Sequence, residues 1–177
     1  MKVTRDQVAR NRQNILASAA RLFRNRGFGA VSLADVMKDA GLTHGAFYGH
    51  FQSREDLMAQ AIFHSAGQQK EYIAESIADN FRKYLSIAHV ENRTDGCLFA
   101  ALAGDTSPQS AETRHEMTDR LRYTIDQLVG LTAVAGLPTR STAIATFSTL
   151  VGALVLARLV DDPEFAEEIL SANRETL

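Results

Sequence analysis

The 177-residue sequence has one cysteine, three prolines and no tryptophan. A single cysteine excludes a disulfide framework within the chain and a cysteine-based zinc site. Such sparse cysteine use is typical of a reducing compartment, so we expect the protein to be cytoplasmic. His44, His50 and His64 lack partners at metal-ligand spacing, and we expect neither a metal nor another cofactor.

Long apolar runs are also missing. The N-terminus, MKVTRDQVARNR, lacks the apolar core of a signal peptide. The longest apolar run, LVGALVLA at 150–157, is far shorter than the roughly 20 residues that cross a bilayer, so we expect no membrane segment. No stretch alternates polar and apolar residues as a half-buried strand does for more than a few positions. With 45% hydrophobic residues the chain can still form a core, and the sequence predicts an all-α protein.

Basic residues are concentrated towards the N-terminus. Residues 1–54 hold nine lysines and arginines against three acidic residues, a net charge of +6, so the remainder carries −8 because the whole chain carries −2. Clustered basic residues bind phosphate groups by releasing their counterions. This pattern predicts a basic module for an anionic partner joined to an acidic body. A chance asymmetry between solvated faces is the alternative.

Capping signals divide the first third of the chain into four helices. A serine or threonine is followed three residues later by a side chain that can return a hydrogen bond, in the pairs Thr4/Gln7, Ser32/Asp35 and Ser53/Asp56. Val3 and Val8 can form a hydrophobic staple at the first of these starts. Gly27 and Gly41 are expected to end the first two helices, and Thr43 is a candidate N-cap for the third.

The pattern stays helical beyond residue 70, with breaks expected at 91–96, 104–110, 135–139 and 160–163. The segment 144–160 is apolar on nearly every side, so a helix there must be covered on two faces. A second copy of the chain can provide one cover; a central core helix of a monomer is the alternative. Asp162 followed by Pro163 then predicts the start of a last helix.

The stretch DVMKDAGLTHGAFYGHF, residues 35–51, has the layout of a helix-turn-helix, whose second helix lies in the DNA major groove. Spacing of 100° per residue puts Phe47 and Phe51 on the buried edge and Gly45 and Gly49 on the opposite side. The glycines then lie where the backbone approaches the groove floor and larger side chains would hold it away. Alternatively, the polar residues of this segment merely cover its surface.

Phosphate and base contacts are expected from different residues of that segment. Tyr48 and His50 can donate hydrogen bonds to phosphates, and Thr43 offers a hydroxyl at the positive end of the helix. Ala46 is small enough to contact a thymine methyl group, and His44 can reach a base edge.

Residues 15–58, ILASAARLFRNRGFGAVSLADVMKDAGLTHGAFYGHFQSREDLM, resemble the DNA-binding domain of the TetR family of transcriptional regulators. The resemblance implies phosphate contacts from Tyr48, His50 and Arg54, with Thr43, His44 and Ala46 nearer the bases. Gly49 departs from the bulky residue that the family often carries. The full set of expected DNA-binding residues is Ser32, Thr43, His44, Gly45, Ala46, Tyr48, His50 and Arg54.

The resemblance also implies two domains: a three-helix helix-turn-helix domain at 1–53 and a helical effector-binding and dimerisation domain at 54–177. The expected function is a ligand-responsive repressor that a small molecule releases from a palindromic operator. The expected partners are operator DNA, an unidentified effector and a second copy bound through the last two helices. Residues expected in the body, either as core or as the effector pocket, are Phe81, Tyr84, Phe99, Met117, Leu121 and Phe147.

Two other classes of function remain at this point. An enzyme would use Cys97 with His89 or His115, but no oxyanion element is recognisable, and a buried cysteine in GCLFAALAG is the simpler interpretation. We therefore expect no enzyme activity. A DNA-compacting protein would bind without sequence preference and without an effector.

Overall fold

The computed structural model describes residues 4–67, 77–134 and 139–177. Within these ranges the chain forms nine α-helices and one 3-10 helix, and no strand. They are α1 (Arg5–Arg26), α2 (Leu33–Asp39), the 3-10 helix (His44–Gly49), α3 (Arg54–Gly67), α4 (Ile77–Tyr84), α5 (Ile87–Glu91), α6 (Leu98–Thr106), α7 (Ala111–Val134), α8 (Arg140–Leu159) and α9 (Pro163–Thr176). The predicted all-α class is confirmed.

The predicted N-caps Thr4, Ser32 and Ser53 form in the structure, whereas the candidate N-cap Thr43 makes no side-chain capping hydrogen bond. The Thr4 side chain accepts a hydrogen bond from the Gln7 amide at 3.2 Å, and Gly27 ends α1 with a φ of 80°, a conformation that favours glycine. Ser32 and Asp35 make both bonds of a capping box. Val3 of the predicted staple lies outside the described residues, and Val8 is 41% exposed. The buried stripe of α1 therefore starts at Ile15.

Contacts group the chain into two units. The first comprises Met1–Gln69 with Leu102–Arg120, and the second comprises Lys70–Ala101 with Leu121–Leu177. In the first unit α1 packs against α2 and α3, around buried apolar residues that include Ile15, Phe23, Val36, Phe47, Phe51, Leu57 and Ile62. The contact grouping places α3 in the same unit as α1. The predicted domain boundary between residues 53 and 54 stays a prediction.

The second unit is organised around α8, which packs against α4, α5 and α9. The breaks expected near 91–96, 104–110 and 160–163 separate helices as predicted. Of the expected break at 135–139, only Thr139 lies among the described residues, where its side chain caps α8. A further break at Leu85 and Ser86, between α4 and α5, was not predicted; there the Ser86 hydroxyl caps α5.

Two opposite faces of α8 are apolar, and they have different surroundings. One face is buried within the unit and carries Ala143, Leu150, Ala153, Leu154 and Ala157. The opposite face carries Ile144, Leu156 and Leu159, which are 47%, 52% and 74% exposed. Among the described residues, α8 alone is long and apolar enough to cross a bilayer by length and composition, a test that the core helix of a soluble protein also passes.

Candidate nucleic-acid interface

The turn of the helix-turn-helix follows from residues 37–43. Gly41 adopts a φ of 71°, which favours glycine, and the Leu42 amide donates to the Met37 carbonyl at 2.8 Å. Thr43 then has an extended backbone, and its side chain makes no capping hydrogen bond. The hydroxyl of Thr43, which is exposed, is therefore left at the start of the next helix, where a phosphate oxygen can accept from it.

The second helix of the motif is a 3-10 helix rather than an α-helix, and it is anchored by one aromatic side chain. Phe47 is fully buried and stacks on Phe51 with ring centroids 5.7 Å apart. Tyr48 meets the Phe47 ring edge-on at 5.2 Å, yet 68% of its surface is exposed. The predicted buried edge is confirmed, and the Tyr48 ring is held in place while its hydroxyl faces solvent.

Gly45 and Gly49 lie on the outer side of this helix. A methyl group added at either position would meet no atom within 4 Å, and neither residue has a positive φ. Packing within the chain therefore does not require glycine at these two positions, and the conformation does not require it either. The described part of the chain therefore gives no internal reason for glycine at either position.

His50 and Arg54 differ in their internal hydrogen bonds. The Nδ1 atom of His50 is buried without a hydrogen-bond partner. The Arg54 guanidinium donates to the carbonyl of Val31 at 2.9 Å and also to the carbonyl of Phe28. Arg54 thereby joins the start of α3 to the loop between α1 and α2, whereas its expected phosphate contact stays a prediction.

Ser32 lies at the N-terminus of α2, on the exposed surface. Its hydroxyl donates to the Asp35 carboxylate at 2.6 Å and its side-chain oxygen accepts from the Asp35 amide at 3.1 Å. The Ser32 hydroxyl, and the Ser32 amide that donates to the same carboxylate at 2.9 Å, hold the pKa of the Asp35 carboxyl below its usual value. The helix start is thus fixed with one carboxylate at its positive end.

Two residues that position the motif were not found from the sequence. The Arg12 guanidinium lies 5.3 Å from the centre of the Phe51 ring, and it donates to the Gln60 side chain. Gln60 in turn donates to Asp56, whose carboxylate accepts from the Gln52 amide at 2.9 Å. Helical spacing could have identified Arg12 from the sequence, because Arg12 precedes Ile15 by three residues and so lies on the same side of α1 as the apolar stripe.

The residues expected in an effector pocket lie in both units. Phe99 and Phe147 make an edge-on contact at 5.3 Å, and Phe81 and Phe147 pack against the cluster of Ile125, Leu128 and Ala143. Tyr84 and Phe81 pack against a second cluster of buried residues, which comprises Leu85, Leu150, Ala153, Ala157, Ala166 and Leu170. Met117 belongs to the first unit, and Leu121 is 40% exposed. Their assignment to a pocket stays a prediction.

A surface depression of about 490 Å³ occurs elsewhere in the second unit, and none of the six expected pocket residues lines it. Its lining is Arg82, Lys83, Ser86, Ala88, His89, Asn92, Asp95 and Gly96.

His89 fixes the segment that lines this depression. Its Nδ1 atom donates to the Tyr84 carbonyl at 2.7 Å, so Nε2 accepts from the Cys97 amide at 3.0 Å and the ring is neutral. A methyl group on Gly96 would lie 3.1 Å from the His89 ring and 2.3 Å from the Asn92 carbonyl, which explains glycine there. Since His89 bonds the peptide of Cys97, these contacts do not support a nucleophile and base pair.

We expect the free energy of unfolding to fall as the pH drops below about 6.5. Burial, with Arg158 nearby, lowers the pKa of His89, and burial also lowers the pKa of His64. The unfolded chain then binds more protons than the folded chain below pH 6.5, so acid favours unfolding by at most about 1.4 kcal/mol per pH unit for each group. Urea unfolding of His89→Gln between pH 5 and 8 should show a shallower decline, and His115→Gln on exposed α7 is the control. If the free energy of unfolding fell with pH as steeply in His89→Gln and His64→Gln as in wild type, these two histidines would not be the cause of the pH dependence.

The segment that forms this helix-turn-helix is similar in sequence to known proteins. Residues 15–61 match the model of the bacterial regulatory proteins, tetR family. Residues 15–61 are therefore similar in sequence to the DNA-binding domain of TetR-family regulators. AcrR of Shigella flexneri is 40% identical over 57 residues, which are 32% of this chain and 26% of AcrR. TtgR of Pseudomonas putida is 34% identical over 71 residues, 40% of this chain and 33% of TtgR. The chain thus covers a third or less of these two relatives.

Three other proteins match over most of the chain. An uncharacterized HTH-type transcriptional regulator of Mycobacterium tuberculosis is 29% identical over 171 residues, covering 85% of this chain and 86% of that protein. A TetR-family regulator from Agrobacterium tumefaciens superposes with a TM-score of 0.76 at 20% identity, covering 96% of this chain and 98% of the other. Reduced E. coli NemR gives 0.72 at 23% identity, covering 93% and 96%. These two structures share the fold. The predicted resemblance of residues 15–58 to the TetR DNA-binding domain is confirmed by the family match over residues 15–61. AcrR, TtgR, the Mycobacterium protein and the Agrobacterium protein are all named as transcriptional regulators, and none of the four is named as an enzyme, in line with the prediction.

Proposed function

We propose that this protein is a sequence-specific DNA-binding transcriptional regulator, acting in the cytoplasm as a repressor. The observation that carries the proposal is the outer side of the 3-10 helix, where Gly45 and Gly49 face open space beside the exposed Tyr48. Because packing within the chain does not require these two glycines, they are consistent with close approach of the helix backbone to the floor of a DNA groove. The expected DNA contacts are those of Ser32, Thr43, His44, Gly45, Ala46, Tyr48, His50 and Arg54.

The protein is proposed to act as a homodimer through α8 and α9. The support is the exposed apolar face of α8, together with Phe165 of α9, which is 48% exposed. Large exposed apolar patches are typical of interfaces. A two-fold dimer requires a palindromic operator whose half-sites lie about 34 to 36 Å apart or a multiple of that distance.

A small molecule bound in the second unit is proposed to release the operator. The support is a set of aromatic side chains between helices, Phe81, Phe99 and Phe147, of the type that lines ligand sites. Ligand and operator should then weaken each other's binding by the same factor, with a coupling of about 1 to 3 kcal/mol. Titration of a compound found by thermal shift, with and without operator, tests this; equal affinities would argue against release by that compound.

Selection of duplexes from a random 40-base-pair library tests the central proposal. Full-length protein should enrich a palindrome, while enrichment of no sequence would favour the DNA-compacting alternative. DNA that is not bound at all would overturn both.

On the selected duplex, we expect Tyr48→Phe to lower affinity about tenfold at fixed salt. The change removes one hydroxyl whose hydrogen bond to a charged phosphate is worth about 1.5 kcal/mol. The loss should be the same on operators with altered bases, because phosphate contacts carry no sequence information, whereas His44→Ala should change base preference. Tyr123→Phe, on a tyrosine 54% exposed in α7, is the matched control. Wild-type affinity in Tyr48→Phe would show that its hydroxyl does not contact DNA.

A further inference from the structure

The loop between α1 and α2 is held by a carboxylate from far along the sequence. Asp105 accepts a hydrogen bond from the Phe28 amide at 2.7 Å through Oδ2. On the other side of the same residue, the Phe28 carbonyl accepts from Arg54. The Phe28 ring is buried and meets Phe23 edge-on at 5.0 Å. The peptide groups and the ring of this residue are therefore fixed from three directions.

Gly27 is shaped by the same carboxylate. A methyl group added at Gly27 would lie 2.2 Å from Oδ2 of Asp105, closer than real contacts permit. Gly27 also has the φ of 80° that disfavours other residues. Gly29, two positions along, has open space around it, so the close approach is specific to Gly27 and Asp105.

The position of Asp105 is unfavourable for its own helix. It lies in the last turn of α6, where the helix dipole favours cations and disfavours a carboxylate, and no basic residue shares that turn. A local cost of this kind indicates that the carboxylate serves a contact outside α6. The contact that the structure provides is the amide of Phe28, within the unit that also holds the candidate nucleic-acid interface.

We propose that Asp105 is a positioning residue for DNA binding. Its carboxylate fixes the loop 27–32, which carries Ser32 at the start of α2 and provides both carbonyls that anchor Arg54. The segment Leu102–Arg120 thus contributes to the unit that holds the candidate nucleic-acid interface, although it is distant in sequence from residues 32–54. This inference rests on the proposed DNA-binding function, and it adds a residue that makes no contact with DNA itself.

Measuring the affinity of Asp105 variants for the selected duplex distinguishes the effect of the Asp105–Phe28 hydrogen bond from the effect of the Asp105 charge. Removal of a carboxylate raises the net charge by one and by itself favours DNA, so a loss of affinity must come from lost positioning. We expect Asp105→Ala to weaken binding at least fivefold, and Asp105→Asn, which keeps an acceptor oxygen, to remain within twofold of wild type. Asp95→Ala, which removes an exposed carboxylate in the second unit, is the charge control and should not weaken binding.

The binding measurements are made well below the unfolding temperature of each variant, so that loss of folded protein does not enter. Asp105→Ala binding as tightly as Asp95→Ala would overturn the proposal, and so would Asp105→Asn binding as weakly as Asp105→Ala.

Gly27→Ala approaches the same contact from the loop. Its new methyl group must displace the Asp105 carboxylate, so it should weaken binding strongly in the wild-type background and much less when Asp105 is already alanine. Equal losses in the two backgrounds would mean that Gly27 acts through backbone strain alone and would count against the proposal.

Hydrogen exchange on the free protein tests the attachment without DNA. The Phe28 amide should exchange at least tenfold faster in Asp105→Ala than in wild type, while amides in the middle of α1 keep their rates. If the wild type selects no duplex, the proposed function fails and this role for Asp105 fails with it, even if the exchange result shows that the loop is attached. If duplexes are selected but Phe28 exchange is unchanged, only the positioning role is overturned.

Discussion

Leu156→Glu is expected to dissociate the dimer and abolish operator binding while leaving the fold intact. Leu156 is 52% exposed in the single chain, on the outward apolar face of α8, so its replacement costs the monomer little. In a dimer that covers this face, the same change replaces buried apolar surface, worth about 1.5 to 3 kcal/mol, with an unpaired charge. We expect the dimer dissociation constant to rise at least a hundredfold, measured by sedimentation at several concentrations.

Two further substitutions make the result specific. Leu121→Glu, on a leucine 40% exposed in α7, carries the same change to another exposed helix and should leave the dimer intact. Leu154→Glu should instead unfold the chain, because Leu154 is fully buried within its own unit. Wild-type protein that sediments as a monomer at every concentration would remove the dimer, as would a Leu156→Glu variant that still dimerises normally.

The sequence was sufficient to predict the features that local chemistry decides. Capping side chains at Thr4, Ser32 and Ser53 need partners only three residues away, and glycines at 27 and 41 end helices through their own φ angles. The buried pair Phe47 and Phe51 follows from helical spacing. These interactions are close along the chain, so a pattern in the sequence contains both partners.

Contacts between distant residues could not be predicted in the same way. Asp105 and Phe28 are separated by 77 positions, and nothing near either residue indicates the other. Arg158, on α8, donates to the carbonyls of His89 at 2.9 Å and Val90 at 3.1 Å, a contact that likewise depends on the packing of α5 against α8. An arginine and an exposed helix end are common features, so the sequence alone does not pair them.

The two apolar faces of α8 illustrate the limit in a different way. Periodicity showed that the helix is apolar nearly all round, but it did not show which face the chain covers itself. Leu154 and Leu156 differ by two positions and lie on opposite sides, one fully buried and the other half exposed. Only tertiary packing decides this, and it changes which substitution tests the dimer.

The largest effect at the interface itself is expected from Gly45→Leu and Gly49→Leu. Leucine favours a helix over glycine by up to about 1 kcal/mol, and a side chain at either position meets open space, so the melting temperature should be unchanged or higher. Affinity for the selected duplex should nevertheless fall at least thirtyfold at fixed salt, because the side chain holds the helix backbone away from the groove floor. Stability and binding thus move in opposite directions, which loss of folded protein cannot produce.

Gly130→Leu is the matched control for these two variants, since Gly130 is also exposed and also has open space, but lies on α7. Its affinity for the duplex should equal that of wild type. Repeating the selection with Gly49→Leu adds a second readout: a changed preference at particular base pairs would place residue 49 at the base edges. Leucine variants that bind the original duplex as tightly as wild type would show that neither glycine faces DNA, and the outer side of the 3-10 helix would then need another explanation.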